Sequence, residues 1–584
     1  MRAKHQEATA VALSTLVDLC RARAAAEPDR RSFVFLADGV AESDSLTLAE
    51  LDRKARAIAV VLRAAAAPGA RALLSYPPGL DFHAAFFGCL YAGVIPVPVA
   101  ALDGTRGNLK WTRVDSIAAN SRSTLLLSTA DGLARVHPLL KQTEVLAGLT
   151  VIATDEVDAG AAEEWTPPEI TADTVAYLQY SSGSTGEPKG VVLTHANVLH
   201  NLSLIHDNLR RPADEDMPRP TAVTWLPLNY NLGLISGVLE PLFGRHDVRV
   251  MPAPVFVQRP FTWLRAISDL GRADSVAPNF GYEFCARRVT DAQRRTLDLG
   301  GWEMALVGGE PVRAGTLDRF CAAFAPVGFR RESLFPAYGL AESTLMVSGG
   351  PIGRGPVVLQ VDRAGLAAGR VRPADPEGGG RPLVSCGQIH PALTVLAVHP
   401  STGKPCGAEE IGEIVVSGPS VGAGYWNAPA ATADAFAARL PDHPDRQFLR
   451  TGDLGVIRDG QLFVTGRAKE LLIIAGANHY PHDIEATVQA SHPAAGELRC
   501  CALSVDDGER ERLVVLAEAA VPAQEAVLRE VQRSIRRAVN AEHGLQVHEV
   551  ILVRPGSLPF TTSGKIQRRQ CQERYAAGEI PGRL

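Results

Sequence analysis

The chain has 584 residues, 46 % of them apolar, and carries 64 acidic against 59 basic side chains for a formal net charge of −5. That length exceeds one ordinary hydrophobic core and predicts two to four structural units, and the lack of a basic excess argues against nucleic acid as a partner. Nine cysteines, none in a C-x-x-C spacing, fit reduced thiols in a cytoplasm and exclude both a disulfide framework and a zinc site.

In chain order, the first thirty residues are charged throughout and lack an apolar core, so no signal peptide is predicted. From SLTLAELDRKARAIAVVL (45 to 62) to about residue 350, apolar strand-like runs alternate with amphipathic helical stretches, which predicts α/β layering. Residues 82 to 102 hold His83 as the only side chain able to carry charge near neutral pH and are long enough to span a bilayer. Pro96 and Pro98 break any helix there, so a buried helix (DFHAAFFGCLYAG) followed by a buried strand is expected instead of a span. Next come two strands, TVAYLQY (174 to 180) and GVVL (190 to 193), joined by the loop SSGSTGEPKG, with Thr194 at a helix N-cap position before HANVLHNL. Glycines let such a loop turn its backbone N–H groups toward one point, hydroxyls add neutral donors, and Lys189 adds a full charge. That is chemistry for a polyphosphate, although Gly and Ser also make plain surface turns, and neither the Walker A register nor G-x-S-x-G fits the loop.

FPAYGLAES (335 to 343) presents Glu342 on a short turn. FLRTGDLG (448 to 455) sets Asp453 in a Thr-Gly turn, where an acid can accept both hydroxyls of a ribose or merely cap the turn. VIRDGQLFV (456 to 464) reads as a hairpin whose Asp459-Gly460 pair suits a type I′ turn. A boundary is expected near 467 to 469, followed by a separate block with a long amphipathic helix near 522 to 541 and Lys565 on the loop of LPFTTSGKIQRR. GPSVG (418 to 422) matches G-x-S-x-G and raises a serine hydrolase with Ser420 as nucleophile, but AGYWNAP follows it where the elbow needs a helix. His479 and His482 form an H-x-x-H pair without a cysteine or acidic partner in a recognised register, which favours packing over metal.

In this order SSGSTGEPKG, VGGEPV (307 to 312), FPAYGLAE, RTGDLG, GRAKE and LPFTTSGKIQR resemble the motif set of the adenylate-forming superfamily, over nearly the whole chain. Within it the sequence is most similar to the fatty acyl-AMP ligases, through LGLISGVLEPLF (232 to 243), APNFGYEFC (277 to 285), GPSVGAGYW, ANHYPHDIE (477 to 485) and the extra segment of 361 to 387. The resemblance implies an α/β adenylate-forming fold. Its large N-terminal domain would span residues 1–467, with a ligase-specific insertion at about 357–387, and a small mobile α+β domain would span 468–584.

The resemblance also implies the roles. Ser181, Ser182, Gly183, Ser184, Thr185 and Gly186 would cradle the phosphates of ATP, with Lys189 neutralising charge. Glu342, with Thr185, would hold Mg²⁺. Gly309, Glu310, Tyr338 and Gly339 would flank the adenine, and Asp453 and Arg467 would bind the ribose. Lys469 would be the hinge and Lys565 the catalytic lysine of the mobile domain. Tyr230, Asn231, Gly233, Asn279 and Phe280 would line the acyl pocket. Tyr230 and Asn231 depart from the family pattern, which has His and Asp there. The implied function is activation of a fatty acid as its acyl-adenylate, then transfer to the phosphopantetheine of a separate acyl carrier protein, in the cytoplasm and without a membrane span. An acyl-CoA synthetase and a degenerate binding module are the alternatives.

Overall fold

The computed structural model describes residues 13–104, 109–181, 188–209, 219–375, 380–474, 477–496, 499–506, 511–520, 524–560 and 566–584. Ser182, Gly183, Ser184, Thr185, Gly186 and Lys565, to which the resemblance gives roles, lie outside the described residues.

The buried helix expected of DFHAAFFGCLYAG is Asp81–Ala92, buried from Phe82 onward and stopped by Gly93 in the left-handed region (φ 71°). The strand after it, Ile95–Pro98, is the edge of a four-stranded parallel sheet with Arg71–Leu74, Leu125–Ser128 and Thr150–Ala153. An edge strand tolerates Pro96 and Pro98 because their missing N–H groups cost no ladder bond. No helix among the described residues is long and apolar enough to cross a membrane.

A seven-stranded sheet runs Leu334–Pro336, Trp302–Val307, Ala273–Ala277, Thr221–Thr224, Val248–Val250, Phe33–Phe35, Asp44–Leu46, all parallel until the last pair. An antiparallel sheet follows, built around the hairpin of His443–Arg458 and Gln461–Arg467. Asp459 (φ 51°) and Gly460 (φ 74°) both take positive φ at its turn, as the D-G signal predicts. Three strands, Val175–Ser181, Lys189–Thr194 and Gly424–Tyr425, make a small antiparallel sheet. Thr194 caps the His195–Asn208 helix through a reciprocal bond pair with Asn197.

Residues after 471 bury a core of their own, in which Ile484, Val488, Val515, Val531, Ile535, Val539 and Leu552 pack together. The long amphipathic helix lies at Glu525–His543, within a few residues of its expected place. The extra segment forms a strand pair, Val358–Val361 with Arg381–Val384, and a short helix, Arg363–Ala367. Its Val361, Leu366, Val371 and Leu383 cover Val456 and Phe463 of the hairpin. It also reaches the C-terminal block, where Arg381 pairs with Asp483 at 2.9 Å and Arg363 pairs with Glu542.

Candidate active site

Strands Val175–Ser181 and Lys189–Thr194 pair in antiparallel register with Ser181 opposite Lys189. Gly424–Tyr425 pairs with the other edge of the second strand, Tyr425 opposite Val191. This carries the Tyr425 ring to Lys189, whose Nζ lies 5.1 Å from the ring centroid. The Tyr425 hydroxyl in turn donates to Glu342 Oε1 at 2.9 Å. Burial, and then the Glu342 charge, push the phenol's pKa up and keep it a donor. Tyr425 lies within GPSVGAGYW, where nothing signals the strand pairing that joins Lys189 to Glu342.

Four positions before Glu342 on the same segment, the Tyr338 hydroxyl donates to Asp453 Oδ2 at 2.7 Å. Arg467 Nε donates to Asp453 Oδ1 at 2.9 Å, and the guanidinium's pKa is raised chiefly by that carboxylate. Asp453 and Arg467 are cross-strand partners, so the D-G hairpin sets their meeting. Gly339 is required by close approach: a Cβ there would lie 1.6 Å from Leu345 O. Lys469 is exposed on the single turn Ala468–Glu470 leading into the C-terminal block, and its neighbour Glu470 binds Arg568 at 2.8 Å.

Tyr230, Gly309, Glu310 and Phe280 meet one another on separate elements. Gly309 takes φ +77°, and a Cβ there would stand 2.7 Å from the Tyr230 hydroxyl. Burial, and then Glu310, push the Tyr230 pKa up to about 12. Glu310 Oε1 accepts from Phe280 N at 2.5 Å, and the Phe280 ring stands edge-on to Trp225 at 5.6 Å. Gly233 leaves no room for a side chain, since a Cβ would sit 2.2 Å from Pro227 O. Asn231 Nδ2 donates to Thr344 O at 2.6 Å. The Asn279 amide is turned into the fold: Oδ1 accepts from Arg313 N at 3.0 Å and Nδ2 donates to Thr316 Oγ1 at 3.3 Å. Asn279 therefore fixes a helix junction.

Ser420 is fully buried, with Oγ 2.7 Å from His200 Nδ1. A serine with no surface cannot meet a substrate carbonyl, which removes the hydrolase reading. His482 is bonded to Arg381 at 3.0 Å, and no group of three or more metal-ligating side chains occurs among the described residues.

The family model of the AMP-binding enzymes matches residues 20–426, and that of the Disco-interacting protein 2-like AMP domain matches 469–583. The chain is 41 % identical over 575 residues (97 % of this chain, 96 % of the relative) to the medium-chain-fatty-acid–[acyl-carrier-protein] ligase JamA of Moorena producens. It is 36 % identical over 571 residues (95 % and 96 %) to the long-chain-fatty-acid–AMP ligase FadD26 of Mycobacterium tuberculosis. Among solved structures it resembles the fatty acid AMP ligase of Legionella pneumophila, at 35 % identity and a TM-score of 0.74 over 97 % of this chain and 96 % of that one. The chain belongs to the AMP-binding enzyme family, the adenylate-forming enzymes. Within that family it lies on the fatty acyl-AMP ligase branch.

Proposed function

We propose that the protein activates a fatty acid with ATP, forming the acyl-adenylate and releasing pyrophosphate, and passes the acyl group to the phosphopantetheine thiol of a separate carrier protein. The observation that carries this reading is the join of Lys189, Tyr425 and Glu342 beside the Tyr338–Asp453–Arg467 set, on a chain similar to ligases of this chemistry. Residues 1–467 are the adenylating unit and 468–584 the small unit that brings Lys565 to the site. Asp453 accepts the ribose hydroxyls, held in place by Arg467 and Tyr338. Lys189 and the loop of 181 to 186 take the phosphates, and Gly309 and Glu310 border the adenine. Tyr230 and Phe280 border the acyl path.

Glu342 suits Mg²⁺ in its donor chemistry. It is a hard carboxylate with one oxygen on a neutral phenol and no cation bound to it among the described residues, and Mg²⁺ takes one or two carboxylates besides phosphate oxygens. Together with Thr185 it would hold the ion, which when bound neutralises phosphate charge. The substrate carboxylate attacks the α-phosphorus, pyrophosphate leaves, and Lys565 stabilises the charge that builds there.

The test is incubation with ATP, Mg²⁺ and a chain-length series of fatty acids, with products identified by mass. Acyl-AMP should accumulate when free coenzyme A is the only acceptor and turn over with a phosphopantetheinylated carrier. Efficient acyl-CoA formation would place the protein among acyl-CoA synthetases. Lys565→Ala should fold normally and lose about 10²-fold or more in adenylation rate, the usual scale for one preorganised charge donor.

A further inference from the structure

We infer that Thr344, together with the loop of residues 418 to 422, is the device that aims the Glu342 carboxylate. Thr344 has φ 63° and ψ −68°, and Leu345 N donates to Ser343 O at 2.8 Å across it. Those angles and that bond define the γ-turn of positive φ, a rare and strained conformation that a β-branched residue almost never adopts. Strain of this kind persists only where the surroundings over-determine it, and it gathers at functional sites.

The surroundings do over-determine it. Thr344 is fully buried, its N donates to Ala341 O at 3.0 Å, its Oγ1 donates to Ser420 O at 2.7 Å, and its O accepts from Asn231 Nδ2 at 2.6 Å. A glycine would accept the angles without strain but has no hydroxyl to reach Ser420. The partner loop is bolted to one face of the His195–Asn208 helix, whose positions 197, 200 and 201 stand three and four apart. Asn197 Nδ2 donates to Pro419 O at 2.8 Å and to Val421 O at 3.0 Å, His200 Nδ1 lies 2.7 Å from Ser420 Oγ, and Asn201 Nδ2 donates to that same oxygen at 3.1 Å.

From this anchor Gly422 N donates to Glu342 O at 2.9 Å, and three residues further on Tyr425 holds the Glu342 carboxylate. The strained turn and the bolted loop thus grip Glu342 from both sides of its own main chain. This gives the buried G-x-S-x-G match a purpose: Ser420 is a positioning residue. The functional consequence, correct presentation of Glu342 to Mg²⁺, rests on the proposed metal role of that carboxylate.

A double-mutant cycle on the ligand-free protein tests the aim without metal or substrate. Tyr425→Phe should lower the melting temperature of the parent, because Glu342 loses its donor. In a Thr344→Gly background the same substitution should lower it by less than half as much, because the carboxylate is no longer held against residue 425. Ser420→Ala, which loosens the loop and leaves the turn residue intact, is the second background and should behave the same way, whereas Thr344→Ser should restore the full effect. Equal losses in the parent and in both backgrounds overturn the inference. In a second arm, the Mg²⁺ concentration for half-maximal adenylation should rise about 10-fold or more in Thr344→Gly and Ser420→Ala, the scale on which outer supports of a metal ligand act. If the cycle shows the coupling and Glu342→Gln leaves the Mg²⁺ dependence unchanged, the positioning stands and the metal role of Glu342 falls.

Discussion

Asn231 is the residue for which the family resemblance implies an aspartate, and the structure gives the amide a partner of its own. The amide donates to the carbonyl of a strained residue at 2.6 Å, from a position 7 % exposed. An ionised carboxylate has no proton to donate and would face that carbonyl oxygen with like charge. Asn231→Asp is therefore expected to cost about 1–3 kcal/mol at neutral pH, the penalty of leaving a buried polar group unsatisfied. The new acid would have its folded pKa raised above the unfolded value, so the lost stability should return as the pH falls and the protonated carboxyl becomes a donor. Denaturant unfolding at pH 7.5 and pH 4.5, each compared with the parent, checks both magnitude and sign. Tyr230, the neighbouring departure, lies against Gly309 and Glu310 and stays neutral at physiological pH.

At the scale of elements, the extra segment ties the N-terminal sheet to the C-terminal block. Arg381 lies 5.0 Å over the Tyr480 ring, bonds His482 at 3.0 Å and pairs with Asp483 at 2.9 Å, with only 14 % of its side chain exposed. Burial pushes the Asp483 pKa up to about 6, and Arg381 is the largest influence holding it down. A carboxyl whose folded pKa is raised contributes most below its unfolded value near 4, and its contribution is lost as the pH rises through about 6. Removing the arginine should make that loss steeper. Arg381→Ala is expected to speed limited proteolysis near the Ala468–Glu470 turn several-fold at pH 7.5 and far less at pH 5. Equal cleavage rates at both pH values would show that this pair does not govern how the two units meet.

The whole molecule carries an acid sensitivity to which several buried histidines contribute, His83 and His195 in the N-terminal part and His482 and His543 in the C-terminal block. His195 accepts from Leu16 N through Nδ1 at 3.1 Å, and His83 Nε2 sits 3.2 Å from Gly237 O; burial lowers both pKa values to about 4. A depressed folded pKa means that stability is fully present above the unfolded value near 6.5 and is lost as the pH falls toward 4. The shift corresponds to roughly 3 kcal/mol at each site. His195 makes the sharper case, because protonated Nδ1 would point a proton at the Leu16 N–H and undo the docking of the first helix. His195→Asn keeps an acceptor and removes the charge, so its melting temperature should fall less than the parent's between pH 6.5 and pH 4. An unchanged slope would mean that other groups set the acid limit.

Local chemistry was legible in the sequence wherever one short segment contains its own cause. Thr194 and Asn197 cap a helix because they lie three apart, Asp459-Gly460 turns a hairpin because both residues accept positive φ, and that hairpin brings Asp453 to Arg467. Ordered motifs also point to the family, since their spacing is carried by the chain itself. What the sequence could not hold is pairing between segments far apart. Tyr425 reaches Lys189 and Glu342 by adding a third strand to the loop's own pair, and Ser420 turns from apparent nucleophile to buried anchor because a helix some 220 residues earlier closes over it. The strain at Thr344 is likewise invisible in a threonine's name. A residue's identity fixes what it can donate, accept or bury, but its distance to a remote partner and the backbone angles forced on it are decided only when the whole chain has packed.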